Sequence, residues 1–138
     1  DLTSFGERQI KVDCDVIQAD GGTRTAAITG SFVALQHAFD QMTTKGIVIG
    51  NPMPDHVVAV SCGLFEGTPV LELDYAEDSN ADADANFVFT GSGAIVEIQG
   101  TAEKDPFSEQ QFLELLALAK IGCKRLVEVQ RDALEQNS

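Results

Sequence analysis

Residues 56–75 read HVVAVSCGLFEGTPVLELDY, two apolar runs divided by Glu66-Gly67-Thr68. The run over 56–65 predicts a buried strand, PVLELDY predicts a second, and the glycine-containing turn makes the pair a hairpin. Downstream, ANFVFT (85–90) and AIVEIQGTA (94–102) flank Gly91-Ser92-Gly93 and predict another hairpin. Between the hairpins, AEDSNADAD (76–84) is almost devoid of apolar content and is expected to be a loop or turn.

Upstream, GNPMP (50–54) predicts an irregular connection. Before it, Ile28, Phe32, Leu35, Phe39 and Met42 recur every three or four residues, one stripe of a helix that should end near Lys45-Gly46. Earlier still, residues 7–18 alternate Ile10, Val12, Cys14 and Val16 with Lys11, Asp13 and Asp15, the pattern of a half-buried strand. At the other end, Ser108 and Gln111 form a capping box, with Phe107 and Phe112 placed as its hydrophobic staple. The helix they open carries Phe112, Leu115, Leu116, Ala119, Cys123, Leu126 and Val127 on one stripe. The expected order is β-α-β-β-β-β-α, an α+β fold with helices packed on a mixed sheet, in a single domain over 1–138.

The chain has 138 residues and a formal net charge of −13. Such acidity disfavours a nucleic-acid grip made by this chain alone, because phosphate neutralisation needs clustered Lys and Arg. Four of the nine basic residues, Lys120, Lys124, Arg125 and Arg131, fall on the last helix, where the helix dipole is expected to account for them. No apolar run is long enough to cross a membrane, and DLTSFGERQI (1–10) lacks the features of an export signal, so a non-membrane, cytoplasmic protein is expected. Cys14, Cys62 and Cys123 suggest neither a disulfide framework nor a zinc site.

Two stretches carry candidate chemistry. In Asp20-Gly21-Gly22-Thr23-Arg24, glycines precede a helix whose first N–H groups have no intrahelical partner; an anion such as inorganic phosphate fits there, with Arg24 adding a bidentate contact. The plainer alternative is a tight turn in which Thr23 caps the helix and Arg24 pairs with a carboxylate. Second, Asp74, Glu77, Asp78, Asp82 and Asp84 crowd together between strands. One or two of them suit Mg²⁺, which keeps waters and substrate phosphates among its ligands; otherwise the segment is a solvated acidic turn, and a calcium loop lacks its required pattern. His37, His56, Ser31 and Ser61 have no recognisable catalytic context.

The segments CDVIQADGGTRTAAITGSFVAL (14–35), NPM, VAVS, LDYAEDSNADADANFV (73–88) and EIQGTAEKDPFS (97–108), in this order and over nearly the whole chain, resemble ribonuclease PH. The resemblance implies the fold shared with polynucleotide phosphorylase and exosome ring subunits, usually in a hexamer. It also implies phosphorolytic 3′→5′ trimming of RNA, tRNA precursors foremost and rRNA besides, with release of nucleoside 5′-diphosphates. Gly22, Thr23 and Arg24 match the family's phosphate-binding turn; Asp78 and Asp84 match its catalytic and Mg²⁺ positions. The family's arginine-rich N-terminal part has no counterpart in this sequence, so a complementary polypeptide is an expected partner. The alternative function is a non-catalytic ring-assembly subunit or an inactive fragment.

Overall fold

The computed structural model describes residues 1–4 and 6–136. Its elements are α1 (Thr23–Thr44), β1 (Val57–Phe65), β2 (Thr68–Leu71), α2 (Tyr75–Asp78), β3 (Ala83–Thr90), β4 (Ile95–Ala102) and α3 (Glu109–Glu135). The four strands form one sheet in the order β2-β1-β3-β4, with every neighbouring pair antiparallel. The α+β layering agrees with expectation, but the sheet is not mixed. β2 and β3 run the same way, yet β1 lies between them, so no parallel ladder arises.

Both hairpins form where turn residues divide the apolar runs. Glu66 and Gly67 adopt φ of 49° and 73°, the left-handed pair that a two-residue connection between twisted strands requires. Side chains on one sheet face alternate into the core: Val58, Val60, Cys62 and Leu64 from β1, and Ala83, Ala85, Phe87 and Phe89 from β3. The stripe of α3 closes over them through Leu115, Ala119, Cys123 and Val127, with Phe112, Leu116 and Leu126 at its margin. Each fully buried large side chain of this layer contributes roughly 1.5–3 kcal/mol. The capping box forms, Ser108 Oγ accepting from Gln111 N and Gln111 Oε1 accepting from Ser108 N, while Phe107 and Phe112 pack at the edge of the core. Burial pushes the Cys62 and Cys123 thiols up to about 12, which leaves them protonated core side chains.

Three expectations are corrected. Residues 7–18 run without strand pairing, and Val12, Val16 and Ile17 are exposed. Alternation supplies a face to bury, but a strand also needs a partner's unpaired N–H and C=O groups. The stretch of β1 that extends beyond β2 has none to offer. Val57 O accepts from Gln130 Nε2 at 3.0 Å, the Thr29 hydroxyl both donates to Ala59 O and accepts from Ala59 N, and Ser61 exchanges hydrogen bonds with Glu72.

The acidic segment, expected to be a loop or turn, also differs. Asp74 and Glu77 form a second capping box that nucleates the one-turn α2, and Ala83-Asp84 already belong to β3, with Ala81 and Ala83 buried. Finally, the dipole does not account for the cations of α3. The helix runs on to Glu135, its last turn contains no basic residue, and the dipole's influence fades within that turn.

Candidate phosphate turn and acidic pair

Gly22 is the N-cap of α1 at φ 72°, a left-handed conformation that side chains resist, and no side chain caps the helix. The Thr25 hydroxyl donates to Gly22 O instead, which tightens the turn and leaves the first N–H groups of α1 uncapped by any side chain. Gly21 has no room for a Cβ, which would stand 2.0 Å from Leu73 O. Asp20 fastens the same turn to the acidic segment, its Oδ1 accepting from both Gly21 N and Tyr75 N. The turn is therefore seated on the backbone that leads into α2.

Of the plainer alternative, one half is observed. Arg24 pairs with Glu97 on β4 at 2.8 Å, but Thr23 does not cap the helix. Both partners of the Arg24–Glu97 pair are about half exposed, and such pairs are worth at most about 1 kcal/mol, so the guanidinium can exchange Glu97 for a stronger anion.

The five carboxylates separate by environment. Asp74 and Glu77 are engaged in the α2 capping box. Asp82 pairs with Lys104 at 2.9 Å and accepts from Gly67 N, and these contacts, Lys104 first, hold its carboxyl below the ordinary range. Asp78, at the end of α2, and Asp84, on β3, enter no ion pair among the described residues. Burial first, then the charges of Asp78 and Glu103, raise the Asp84 carboxyl above its ordinary value.

Strand register brings the two stretches together. A Cβ at Gly22 would lie 3.5 Å from the Ser61 side chain, and Ser61 is paired with Asn86. Asn86 and Asp84 share a sheet face and are separated by about 7 Å along the strand. That face is opposite the one covered by α3. It presents the helix start, Arg24, Asn86 and Asp84 together, with Asp78 close enough to perturb Asp84.

Among the described residues no group of three or more His, Cys, Asp or Glu side chains is placed to hold a metal ion. Two carboxylates nonetheless fit Mg²⁺, which usually takes one or two from the protein and completes its shell with water and phosphate. Their mutual repulsion is the electrostatic condition that a cation relieves.

Glu72 and Glu97 were not singled out in the sequence, and Asp20 was named only as part of the turn, without a role for its side chain. Asp20 had a visible signal, an Asx residue immediately before two glycines. Glu72 had none: it sits at φ 56°, where its side chain accepts from Ser61 N in the manner of a strand carbonyl.

A model of the 3′ exoribonuclease family, domain 2, matches residues 55–122, and one of the same family, domain 1, matches residues 1–39. Proteins named Ribonuclease PH from Methylobacterium radiotolerans, Methylorubrum populi and Methylobacterium nodulans are 64%, 65% and 62% identical over 133 residues. The match covers 96% of this chain, which spans 56% of the length of each of these relatives. The crystal structure of rice (Oryza sativa) Rrp46 shares the fold, with a TM-score of 0.66 at 20% identity over 86% of this chain and 51% of that one. The family matches extend across the glycine turn and the acidic segment as well as the sheet that joins them, and on these grounds the chain belongs to the ribonuclease PH family of 3′ exoribonucleases.

Proposed function

We propose that this chain supplies the phosphate turn and acidic pair of a phosphorolytic 3′→5′ exoribonuclease that trims the 3′ ends of tRNA precursors. The observation that supports the reading is the shared sheet face: the uncapped start of α1 lies against Ser61, opposite Asn86, and Asp84, perturbed by Asp78, lies two residues along β3 from Asn86. In the reaction, an oxygen of inorganic phosphate attacks the terminal phosphodiester phosphorus. The bond to the penultimate 3′-oxygen breaks, that oxygen takes a proton, and a nucleoside 5′-diphosphate leaves. Gly22, Thr23 and Arg24 hold the attacking phosphate in line through backbone N–H groups and the guanidinium. Asp78 and Asp84 would hold Mg²⁺, which when bound offsets charge on the reacting phosphodiester. An Asp84 carboxyl with a raised pKa is also suited to deliver the proton to the leaving oxygen.

The other partners follow the same reading. The exposed apolar side chains of residues 7–18 support a complementary polypeptide that covers them, and β4, an edge strand exposed along its whole length, supports a homo-oligomer, a hexamer by family resemblance. Among the described residues no helix is long and apolar enough to cross a membrane.

The test uses the complete enzyme with an RNA substrate. Shortening should require inorganic phosphate and yield diphosphates; monophosphates released in phosphate-free buffer would refute phosphorolysis. Arg24→Ala should chiefly raise the phosphate concentration needed, and an unchanged phosphate dependence would remove the turn from the site. Asp78→Asn and Asp84→Asn should each lower turnover by about 10²-fold or more, whereas Asp82→Asn should do little. Equal, mild effects of the three would favour a second reading suggested by the Arg24–Glu97 pair, a subunit that keeps the fold for assembly without the chemistry.

A further inference from the structure

A second charged feature lies on the opposite sheet face. The C-terminal half of α3 and the Gly91-Ser92-Gly93 loop enclose a cleft of about 510 Å³, floored by Phe89, Cys123 and Val127 and rimmed by Lys120, Lys124 and Arg131. The chain has 22 acidic residues against 9 basic ones, yet among the described residues none of these three cations enters an ion pair. One carboxylate also lines the cleft, Glu128, and it is paired with Arg125 at 2.8 Å. The helix dipole does not explain the cations, because they lie before the last turn of α3, which contains no basic residue.

The loop opposite is fixed in place. Asp55 accepts from Ser92 N and from His56 N, Gly91 N donates to His56 O, and Gly93 N donates to Thr90 O. A Cβ at Gly91 would meet Asp55 Oδ1 at 2.6 Å, so the loop passes where only glycine fits. Its backbone donors are all engaged, and attraction for an anion must come from the helix side. There, Lys120 to Arg131 spans about 16 Å along the axis, more than one phosphate can bridge. The cleft also lies far from Asp84, since the six residue steps along β3 from Asp84 to Thr90 extend about 20 Å.

We infer that this cleft is an RNA-backbone site remote from the chemistry, in which Lys120, Lys124 and Arg131 hold successive phosphates of the substrate upstream of the trimmed end. The inference rests on the proposal that RNA is the substrate. It also gives an acidic chain a local grip on a polyanion that its net charge would otherwise repel.

The experiment measures binding of a fluorescent oligoribonucleotide to this chain across a range of salt concentrations, by anisotropy. The triple variant Lys120→Gln, Lys124→Gln, Arg131→Gln is compared with a control triple of equal charge change away from the cleft, Arg8→Gln, Lys11→Gln, Lys45→Gln. The cleft variant should lose tenfold or more in affinity at low salt, and the slope of log affinity against log salt should fall by roughly 2, the loss of three single-strand phosphate contacts. The control triple should change affinity less than threefold. Equal losses in the two triples would overturn the inference, as would equally tight binding of inorganic phosphate, a nucleoside diphosphate or polyglutamate. Absence of RNA binding by the unsubstituted chain would also overturn it. Diphosphate release by the complete enzyme is measured separately, so failure of the cleft leaves the phosphorolytic reading to stand or fall by itself. Retained circular dichroism of both triples confirms that the comparison is between folded proteins.

Discussion

At the scale of single residues, Gly21 and three aspartates carry the sharpest consequences. Gly21→Ala forces a methyl group against the Leu73 carbonyl, so the turn must shift off its seat. A loss of about 1–3 kcal/mol is expected from urea unfolding, together with weaker phosphate use in the complete enzyme. The aspartates set the pH dependence with opposite signs. Asp55 is held below its ordinary value of 3.8, mainly by the Ser92 hydroxyl and N–H, and Asp82 is held below it by Lys104 and Gly67 N. Their stabilisation is complete above that value and is lost as pH falls through the depressed ones. Asp84 is raised, so its favourable contribution is complete below 3.8 and disappears as pH rises through its folded value. Asp84→Asn should therefore raise the urea midpoint at neutral pH. Asp55→Asn with Asp82→Asn should flatten the acid limb of a midpoint-against-pH curve, and a curve parallel to the unsubstituted protein's would contradict both assignments.

At the scale of elements, α1, β1 and α3 meet at Gln130. It is 2% exposed, donates to Thr29 O and Val57 O, and faces His56 Nδ1 at 2.9 Å, while the His56 ring stacks on Phe32. Gln130→Ala would strand these buried groups and open a void. It should cost about 2–4 kcal/mol in urea unfolding, and a cost below 1 kcal/mol would mean that water or a neighbour replaces the amide. This junction also shows what could be read in advance. Both hairpins, the ends of α1 and the start of α3 were legible because turn residues, the Ser108–Gln111 box and the apolar stripes act over a few positions. The coil over 7–18 was not, because its fate depends on whether a distant strand edge is free, and Thr29, Glu72 and Gln130 had already filled that edge. The α2 turn was hidden in a polar segment where a capping box works without an apolar stripe. The glycine turn and the acidic segment were legible as candidate chemistry and family resemblance selected Asp78 and Asp84, whereas the placement of Asp84 on the face of Ser61 and Asn86 came from β1–β3 register, which depends on long-range pairing.

At the scale of the whole molecule, apolar surface is unevenly covered. The sheet face under α3 is buried, while Val16 and Ile17 lie exposed, as do Ile10 and Val12, which line clefts with Ile28, Phe32 and Leu35 of α1. Exposed apolar surface of this kind marks an interaction site. In hydrogen exchange, amides of residues 7–18 should exchange within seconds in this chain, while those of β3 stay protected. Adding the remaining portion of a Ribonuclease PH relative as a separate polypeptide should protect residues 7–18. Unchanged exchange in its presence would show that the segment is not the docking surface.

The tie made by Asp20, whose single oxygen takes protons from both Gly21 N and Tyr75 N, limits how this chemistry can be moved between scaffolds. A five-residue loop copied into another protein would arrive without the Leu73 carbonyl beneath it, the Tyr75 amide that orients its first side chain, or the Ser61 wall beside Gly22. The smallest transplantable unit therefore comprises three separate pieces of chain: residues 20–25, the middle of β1, and the stretch from Glu72 through Asp84. An engineer who grafts the glycine turn must import the acidic arm with it, since the two are joined as one part.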